Sequence, residues 1–387
     1  IEHGKNYIKL LKLKKMRKLA TIREIKDIQP IENADMIELV TIDGWKVIAG
    51  KDVNHQIGDL VVYCEVDSYL PVEPEFEFLR KSSFKRMGDE EGFRLKTIKL
   101  RGQISQGLII PLGDAINVIV RLNSDKSDYD FKHPNLYPEG TDVTALLGIQ
   151  KFEPPIPAQL AGTVEGNFPG FIQKTDEERI QNLVKEYLEW VERADLHFYI
   201  GEKLDGTSST YFIRDGVFGV CSRNLELKRP GVFVDGTTVV GKDGIERPVK
   251  ENTYWKIARE LDLESKMMEM GGNFALQGEI IGEGIQGNKY RLKGQTIRFF
   301  NMFDIDLFKN RSKGEFLAAL DSMGLQSVPI PDNDFQLPKT VDEMLLFAEG
   351  KSQLHKEVER EGLVVRSTDM SISFKAISNK FLIKHKE

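Results

Sequence analysis

Over the first hundred or so positions, apolar and polar residues alternate in short segments. Residues 18–27, 37–42, 45–49, 60–65, 93–100 and 107–110 read as strands, because strand side chains point to opposite faces with a period of two. The second and third segments are separated only by Asp43-Gly44, a hairpin signal because both turn positions must tolerate positive φ. Several short strands in about 95 residues, with little helical period, predict an all-β domain over 16–110, a small barrel such as an OB-fold. Another small barrel or a sandwich fits the same periodicity.

Residues 111–165 contain Pro111, Pro134, Pro138, Pro154, Pro155 and Pro157 among polar runs and read as a connector. Beyond it the period changes. Leu183, Val184, Tyr187, Leu188 and Val191 recur at helical spacing, which predicts an amphipathic helix over 181–193. A strand is expected over 199–204, and 209–213 should pair with 217–221 across Asp215-Gly216. Helices are expected over 253–261 and 341–349, the second opened by a Thr340/Glu343 capping box, and strands over 275–281, 296–304 and 362–366. The mixture predicts an α+β domain over 166–387.

Composition narrows the function classes. The 387 residues carry 54 Lys and Arg against 60 Asp and Glu, a net charge of −6, so bulk charge gives no hint of polyanion binding. No apolar run approaches the roughly 18 residues of a membrane span. Cys64 and Cys221 are far apart and the six histidines show no ligand spacing, which argues against a structural zinc site and predicts a reducing, intracellular setting. A hard cation held through carboxylates stays open. Residues 1–15 hold five lysines and one glutamate before Met16, and are expected to be an upstream or vector-derived leader rather than a nucleic-acid-binding arm.

Gly282, Gly284 and Gly287 have the GxGxxG spacing of a dinucleotide site, but the following NKYRLKGQTIRFF is polar, basic and then strand-like. That fingerprint must open a helix, so the match is rejected. Lys203-Leu204-Asp205-Gly206 is different. KxDG alone is weak, but other segments follow it in order: Ser222-Arg223-Asn224, then Gln277-Gly278-Glu279-Ile280-Ile281-Gly282, Asn301-Met302-Phe303-Asp304-Ile305, Glu361-Gly362-Leu363-Val364-Val365-Arg366 and Ser373-Phe374-Lys375-Ala376-Ile377. These resemble motifs I, Ia, III, IIIa, IV and V of the covalent nucleotidyltransferases, a superfamily of DNA ligases, RNA ligases and mRNA capping enzymes. Ser208 gives the KxDGTS form seen in RNA ligases, where DNA ligases usually carry arginine. The β-barrel precedes the motifs, and only twelve residues follow Lys375. That order, with DGWKVIAGK, GDLVVYCEVDSYLP and LRGQISQGL in the first domain, is similar to RNA ligases of the Deinococcus and Naegleria type.

The resemblance implies an OB-fold domain followed by an α+β nucleotidyltransferase domain. It implies an ATP-dependent, monomeric RNA ligase that uses Mg²⁺ or Mn²⁺ and seals 3′-hydroxyl to 5′-phosphate ends in nicked duplexes. Lys203, Glu279, Glu361 and Lys375 would be catalytic, with Lys203 attacking the α-phosphate. Asp205, Glu279 and Glu361 would hold the metal through its waters. Glu202, Asp205, Gly206, Arg223, Phe303 and Lys380 would bind the nucleotide, with Phe299 or Phe300 as alternative adenine platforms. Arg179 would take the RNA 5′-phosphate or form a helix-start salt bridge. Arg94, Lys96, Lys99 and Arg101, with Lys81, Lys85 and Arg86 before them, would face RNA on one strand face of the barrel. A DNA ligase, a GTP-dependent guanylyltransferase and a non-enzymatic RNA-binding OB protein share some of these features.

Overall fold

The computed structural model describes residues 18–124, 137–152, 163–230, 238–240, 246–248 and 252–385. The expected leader over 1–15 lies outside them. The chain divides into two compact units, 1–155 with 385–387, and 156–384.

The first unit is built on β1 (Ala20–Glu24), β2 (Asp27–Ile31), β3 (Ala34–Ile42), β4 (Trp45–Gly50), β5 (Leu60–Cys64), β6 (Ser68–Pro71), β7 (Phe84–Met87), β8 (Glu90–Arg94), β9 (Thr97–Leu100), β10 (Gln103–Gln106) and β11 (Leu108–Pro111). Helix α1 (Leu112–Leu122) and β12 (Gln150–Lys151) follow, and short helical turns span Lys51–Val53, Pro74–Leu79 and Arg80–Ser83. Antiparallel sheets run β1-β5-β11, β2-β3-β4, β9-β10 and β12-β6-β8-β7. The β3–β4 hairpin closes with Ile42 opposite Trp45, as the Asp43-Gly44 pair predicts, and Asp43 takes φ 48°. Trp45 and Tyr63 meet in the core with ring centroids 5.6 Å apart.

Three expectations fail in this unit. The single strand over 18–27 is two, and that over 93–100 breaks at Leu95-Lys96 into β8 and β9. The region 111–165 is not a simple connector. Ala115, Val118 and Ile119 of α1, with Tyr137, Val143, Leu147 and Ile149, are buried in the core around β1 and β5. Gln150 and Lys151 pair with β6. Residues 125–136 and 153–162 of the expected connector, with Pro134, Pro154, Pro155 and Pro157, lie outside the described residues.

The second unit adds β13 (Val164–Asn167), β14 (Glu178–Arg179), α2 (Val184–Val191), β15 (Phe198–Lys203), β16 (Thr207–Arg214), β17 (Val217–Ser222), β18 (Leu225–Leu227), β19 (Thr238–Val240) and β20 (Glu246–Pro248). It continues through α3 (Thr253–Glu260), α4 (Leu263–Met270), β21 (Phe274–Gly282), β22 (Gln295–Asp304), β23 (Lys309–Asn310), α5 (Lys313–Ser322), β24 (Asp332–Phe335), α6 (Val341–Ala348), β25 (Gly362–Ser367), β26 (Ser373–Ile377) and α7 (Asn379–His385). One sheet of seven strands runs β13-β18-β17-β16-β21-β22-β23, and one of five runs β14-β26-β25-β15-β24. Tyr211, Val220, Leu276 and Phe299 bury the first sheet against α3, α4 and α5. Ile200, Val365 and Phe374 bury the second against α2 and α6, and the predicted Thr340/Glu343 capping box opens α6. The β16–β17 turn places Asp215 at φ 51° and Gly216 at φ 74°, which the Asp-Gly pair tolerates.

Candidate active site

The chain leaves the five-stranded sheet at Lys203, the last residue of β15, and enters the seven-stranded sheet at Thr207. Leu204, Asp205 and Gly206 make the crossing, so the KxDG residues sit where the two sheets meet. Gly206 has no substitute in this geometry, since a Cβ there would lie 2.3 Å from the Ile280 carbonyl oxygen of β21. The same crossing brings Glu279 of β21 and Glu361, just ahead of β25, towards Lys203.

Lys203 Nζ donates to Glu361 Oε1 at 2.6 Å. Burial pulls the ammonium pKa down, but the charges of Glu361 and Glu279 and the Glu361 hydrogen bond outweigh it, and the pKa stands above the usual lysine value. Burial, with the charges of Glu361 and Asp205, pushes the Glu279 carboxyl up to about 8 against the opposing pull of Lys203 and Arg223. The second oxygen of Glu361, Oε2, is buried and accepts no hydrogen bond.

The acids expected as metal ligands therefore divide. Asp205 is ion-paired with Lys289, and its backbone N–H donates to the Tyr290 hydroxyl at 2.8 Å. Its carboxylate holds a protein cation here, as Glu361 holds Lys203. Among the described residues, no three His, Cys, Asp or Glu side chains converge into a direct cage. The buried free oxygen of Glu361 and the crowded Glu279 carboxyl still fit a hard cation that keeps most of its waters.

Glu202 is 2 % exposed. Its Oε2 accepts the Gln353 backbone N–H at 2.8 Å, its Oε1 is unpartnered, and burial raises its pKa against the hydrogen bonds of Ser352 and Gln353. Two nucleotide assignments change. Phe303 is fully buried, packed with Phe168, Ile172 and Phe212 and edge-on to Phe308, so no ring face is open for adenine. Phe299 is equally buried in the core under the sheet, whereas Phe300 is half-buried beside Leu204, Ile281 and Tyr290. Lys380 does not join the cluster. It lies on α7, largely exposed, with its ammonium 2.8 Å from Glu349.

Lys375 and Arg223 do come together, around a residue that sequence reasoning missed. Asp176 Oδ1 lies 3.1 Å from Lys375 Nζ and 4.0 Å from Arg223 Nη2. The next residue, Glu177, pairs with Arg366 of β25, which is 3 % exposed. Arg179 stands opposite Lys375 in the parallel β14–β26 pairing, is 8 % exposed, and caps the short 3-10 helix Ile180–Asn182, so it ends a strand and starts a helical turn at once. The other missed residues are in the rejected glycine run. Gly282, Gly284 and Gly287 all take positive φ and open no α-helix, and the loop folds back on the KxDG crossing through Lys289, Tyr290 and Gln286, whose amide donates to the Gly206 carbonyl at 3.3 Å. No spacing signal marks either set.

In the first unit, Arg94 is held by Asp67 at 2.7 Å and stacks over Phe152, so it is not part of an open basic face. Lys96, Lys99 and Arg101 are exposed, the last two on the β9–β10 hairpin, where Ile98 and Leu100 are exposed as well. The four cations do not share one strand: Arg94 ends β8, Lys96 lies in the break, Lys99 is in β9 and Arg101 is in the turn after it.

Comparison with known proteins adds a direct finding for each unit. A model of an OB-fold domain matches residues 19–112, and an RNA ligase model matches residues 196–386. Among solved structures, the chain is similar to Naegleria gruberi RNA ligase with PPi, at 38% identity and TM-score 0.78, covering 96% of this chain and 99% of that one. A mutant of that ligase with AMP and Mn matches at 36% identity and TM-score 0.78, covering 96% and 99%. A mutant with ATP and Mn matches at 36% identity and TM-score 0.77, covering 95% and 99%. Comparison with curated proteins gives no match.

Proposed function

The chain belongs to the RNA ligase family, and from that premise we propose that it is an ATP-dependent enzyme that seals an RNA 3′-hydroxyl to a 5′-phosphate, acting on nicked duplexes as a monomer. The observation that carries this is Lys203 Nζ, 2.6 Å from Glu361 at the crossing between the two sheets, with Glu279 acting on it and the Lys375–Arg223 pair in the same unit. The ATP and AMP complexes of the Naegleria enzyme support the nucleotide.

In the first step Lys203 Nζ attacks the α-phosphorus of ATP. A P–N bond forms as the bond to pyrophosphate breaks, and the proton lost from Nζ has Glu361 Oε1 as its nearest acceptor. Only about one lysine in 2,500 is neutral at pH 7 with an ordinary pKa near 10.4, so the amine must be freed of its proton within the site. Glu279 and Glu361 would hold a divalent cation, Mg²⁺ or Mn²⁺, whose charge favours the neutral amine and offsets the charge of the phosphate. Lys375 and Arg223 stabilise the phosphate as charge moves to the leaving group. An RNA 5′-phosphate oxygen then attacks the lysyl-AMP phosphorus and frees Lys203. Finally the 3′-hydroxyl attacks the 5′-phosphorus and AMP leaves. Both cysteines are buried and free, which supports the reading of a reducing, intracellular setting.

The substrate is tested with nicked duplexes carrying RNA or DNA on each side of the break. Sealing should require RNA at the 3′-hydroxyl side and tolerate DNA elsewhere. Equal sealing of an all-DNA nick would move the assignment to a general polynucleotide ligase.

A further inference from the structure

The cations assigned to the nucleotide phosphate already share an anion. Asp176 Oδ1 is 3.1 Å from Lys375 Nζ and 4.0 Å from Arg223 Nη2. Asp176 is itself exposed, but its segment is tethered on both sides. The Gln173 carbonyl accepts from the Gln277 side chain at 2.9 Å, and Lys174 Nζ donates to Asn224 Oδ1 at 2.9 Å. Glu177 pairs with Arg366, and Glu178–Arg179 forms a parallel ladder with Phe374–Lys375. These tethers reach four of the six motif segments, so Asp176 is carried to its position by the same residues that build the site.

A carboxylate and a phosphate edge present the same kind of acceptor oxygens and the same sign of charge. They cannot both sit against one lysine ammonium without repulsion. We propose that Asp176 is a resident stand-in for the nucleotide phosphate: it orders Lys375 and Arg223 in advance, yields its place when the phosphate arrives, and so sets how tightly the nucleotide is held. The inference rests on the adenylyl-transfer reading above. It makes Asp176 a residue that tunes affinity and aids release of spent nucleotide, without touching the bond that breaks.

The test compares AMP with adenosine, because adenosine lacks the phosphate that would displace the carboxylate. Full-length protein, discharged with pyrophosphate, is titrated with each by calorimetry, as wild type and as Asp176→Asn. Removing one unit charge a few ångströms from the phosphate should tighten AMP by about tenfold while leaving adenosine within twofold. The gain should vanish when Asp176→Asn is made in a Lys375→Met, Arg223→Met background, since the competition is for those two cations. Unchanged or weaker AMP binding with adenosine retained would overturn the proposal and make Asp176 a support for Lys375. Should Asp176→Asn lose adenosine as well, Asp176→Ser is titrated in its place. Should every variant at this position lose adenosine, Asp176 is a folding residue and the proposal falls. Wild-type protein that binds neither ligand would instead contradict the reading of the site as a nucleotide site.

Discussion

Lys203 is held in its charged form by the two carboxylates that flank it, and the site must overcome that hold before the amine can attack. A second buried pair nearby has a purely structural role that can be measured. Burial would raise the Glu177 carboxyl, but the charge of Arg366, the residue's own backbone N–H and the charge of Lys375 outweigh it and hold its pKa below the usual value. A depressed carboxyl contributes stability that is present above its unfolded pKa, about 4.5, and is lost as pH falls through the lower folded value. Glu177→Gln leaves the nearly inaccessible Arg366 guanidinium without its counter-charge, which costs about 3 kcal/mol. Thermal unfolding at pH 7 should therefore fall by roughly 6–12 °C, at about 2–4 °C per kcal/mol for a unit of this size. The gap between the variant and wild type should narrow as pH falls from about 4.5 through the lower folded pKa, where the wild-type carboxyl protonates. A constant gap across acid pH would show that Glu177 acts through packing alone.

At the scale of elements, the KxDG crossing depends on a loop that carries no catalytic motif. The segment between β21 and β22 supplies Lys289 to the Asp205 carboxylate and the Tyr290 hydroxyl to the Asp205 N–H. Tyr290→Phe removes that acceptor and leaves the backbone donor unsatisfied, at a cost of about 1–3 kcal/mol. Because the donor sits two residues from Lys203, we expect lysyl-AMP formation to slow by about tenfold while Km for ATP changes little. Stopped single-turnover labelling measures it, and an unchanged rate would show that the loop is not needed to place the nucleophile. The same loop shows where sequence reading stops. Rejection of GxGxxG as a dinucleotide site followed from the missing helix, and the strands on either side were legible within two residues. That the loop returns to Asp205 was not legible, because β21 and β22 decide its course and no local pattern records where a hairpin's tip will land. Phe303 differs for a related reason: the register of β22 shifts at Phe300, which packs beside Leu204 while Phe303 is buried with Phe212, and no motif match records such a shift.

For the whole molecule, the net charge of −6 says little about where anions bind. Motif order carried the site because the family's residues are spaced by a shared fold, and Lys203, Glu279 and Glu361 do gather although the first and last are 158 residues apart. Asp176, Lys289 and Arg366 were invisible as partners, since each acts through an ion pair that only the folded chain brings together. The first unit offers a separable prediction. Lys99 and Arg101 are exposed on the β9–β10 hairpin, so Lys99→Ala with Arg101→Ala should weaken nicked-RNA binding. The slope of log K against log salt should fall by about 0.9 for each phosphate that is no longer neutralised, with lysyl-AMP formation unchanged. An unchanged salt slope would remove the hairpin from the RNA-binding surface.

The most direct test of the account is covalent labelling of the protein. Full-length chain is incubated with α-labelled ATP and Mg²⁺ or Mn²⁺, denatured, and examined for label that stays with the polypeptide. Label from ATP that is absent with GTP, released by pyrophosphate and abolished in Lys203→Ala is the predicted result. Folded wild-type protein that takes no label under any of these conditions, or Lys203→Ala protein that still does, would contradict it.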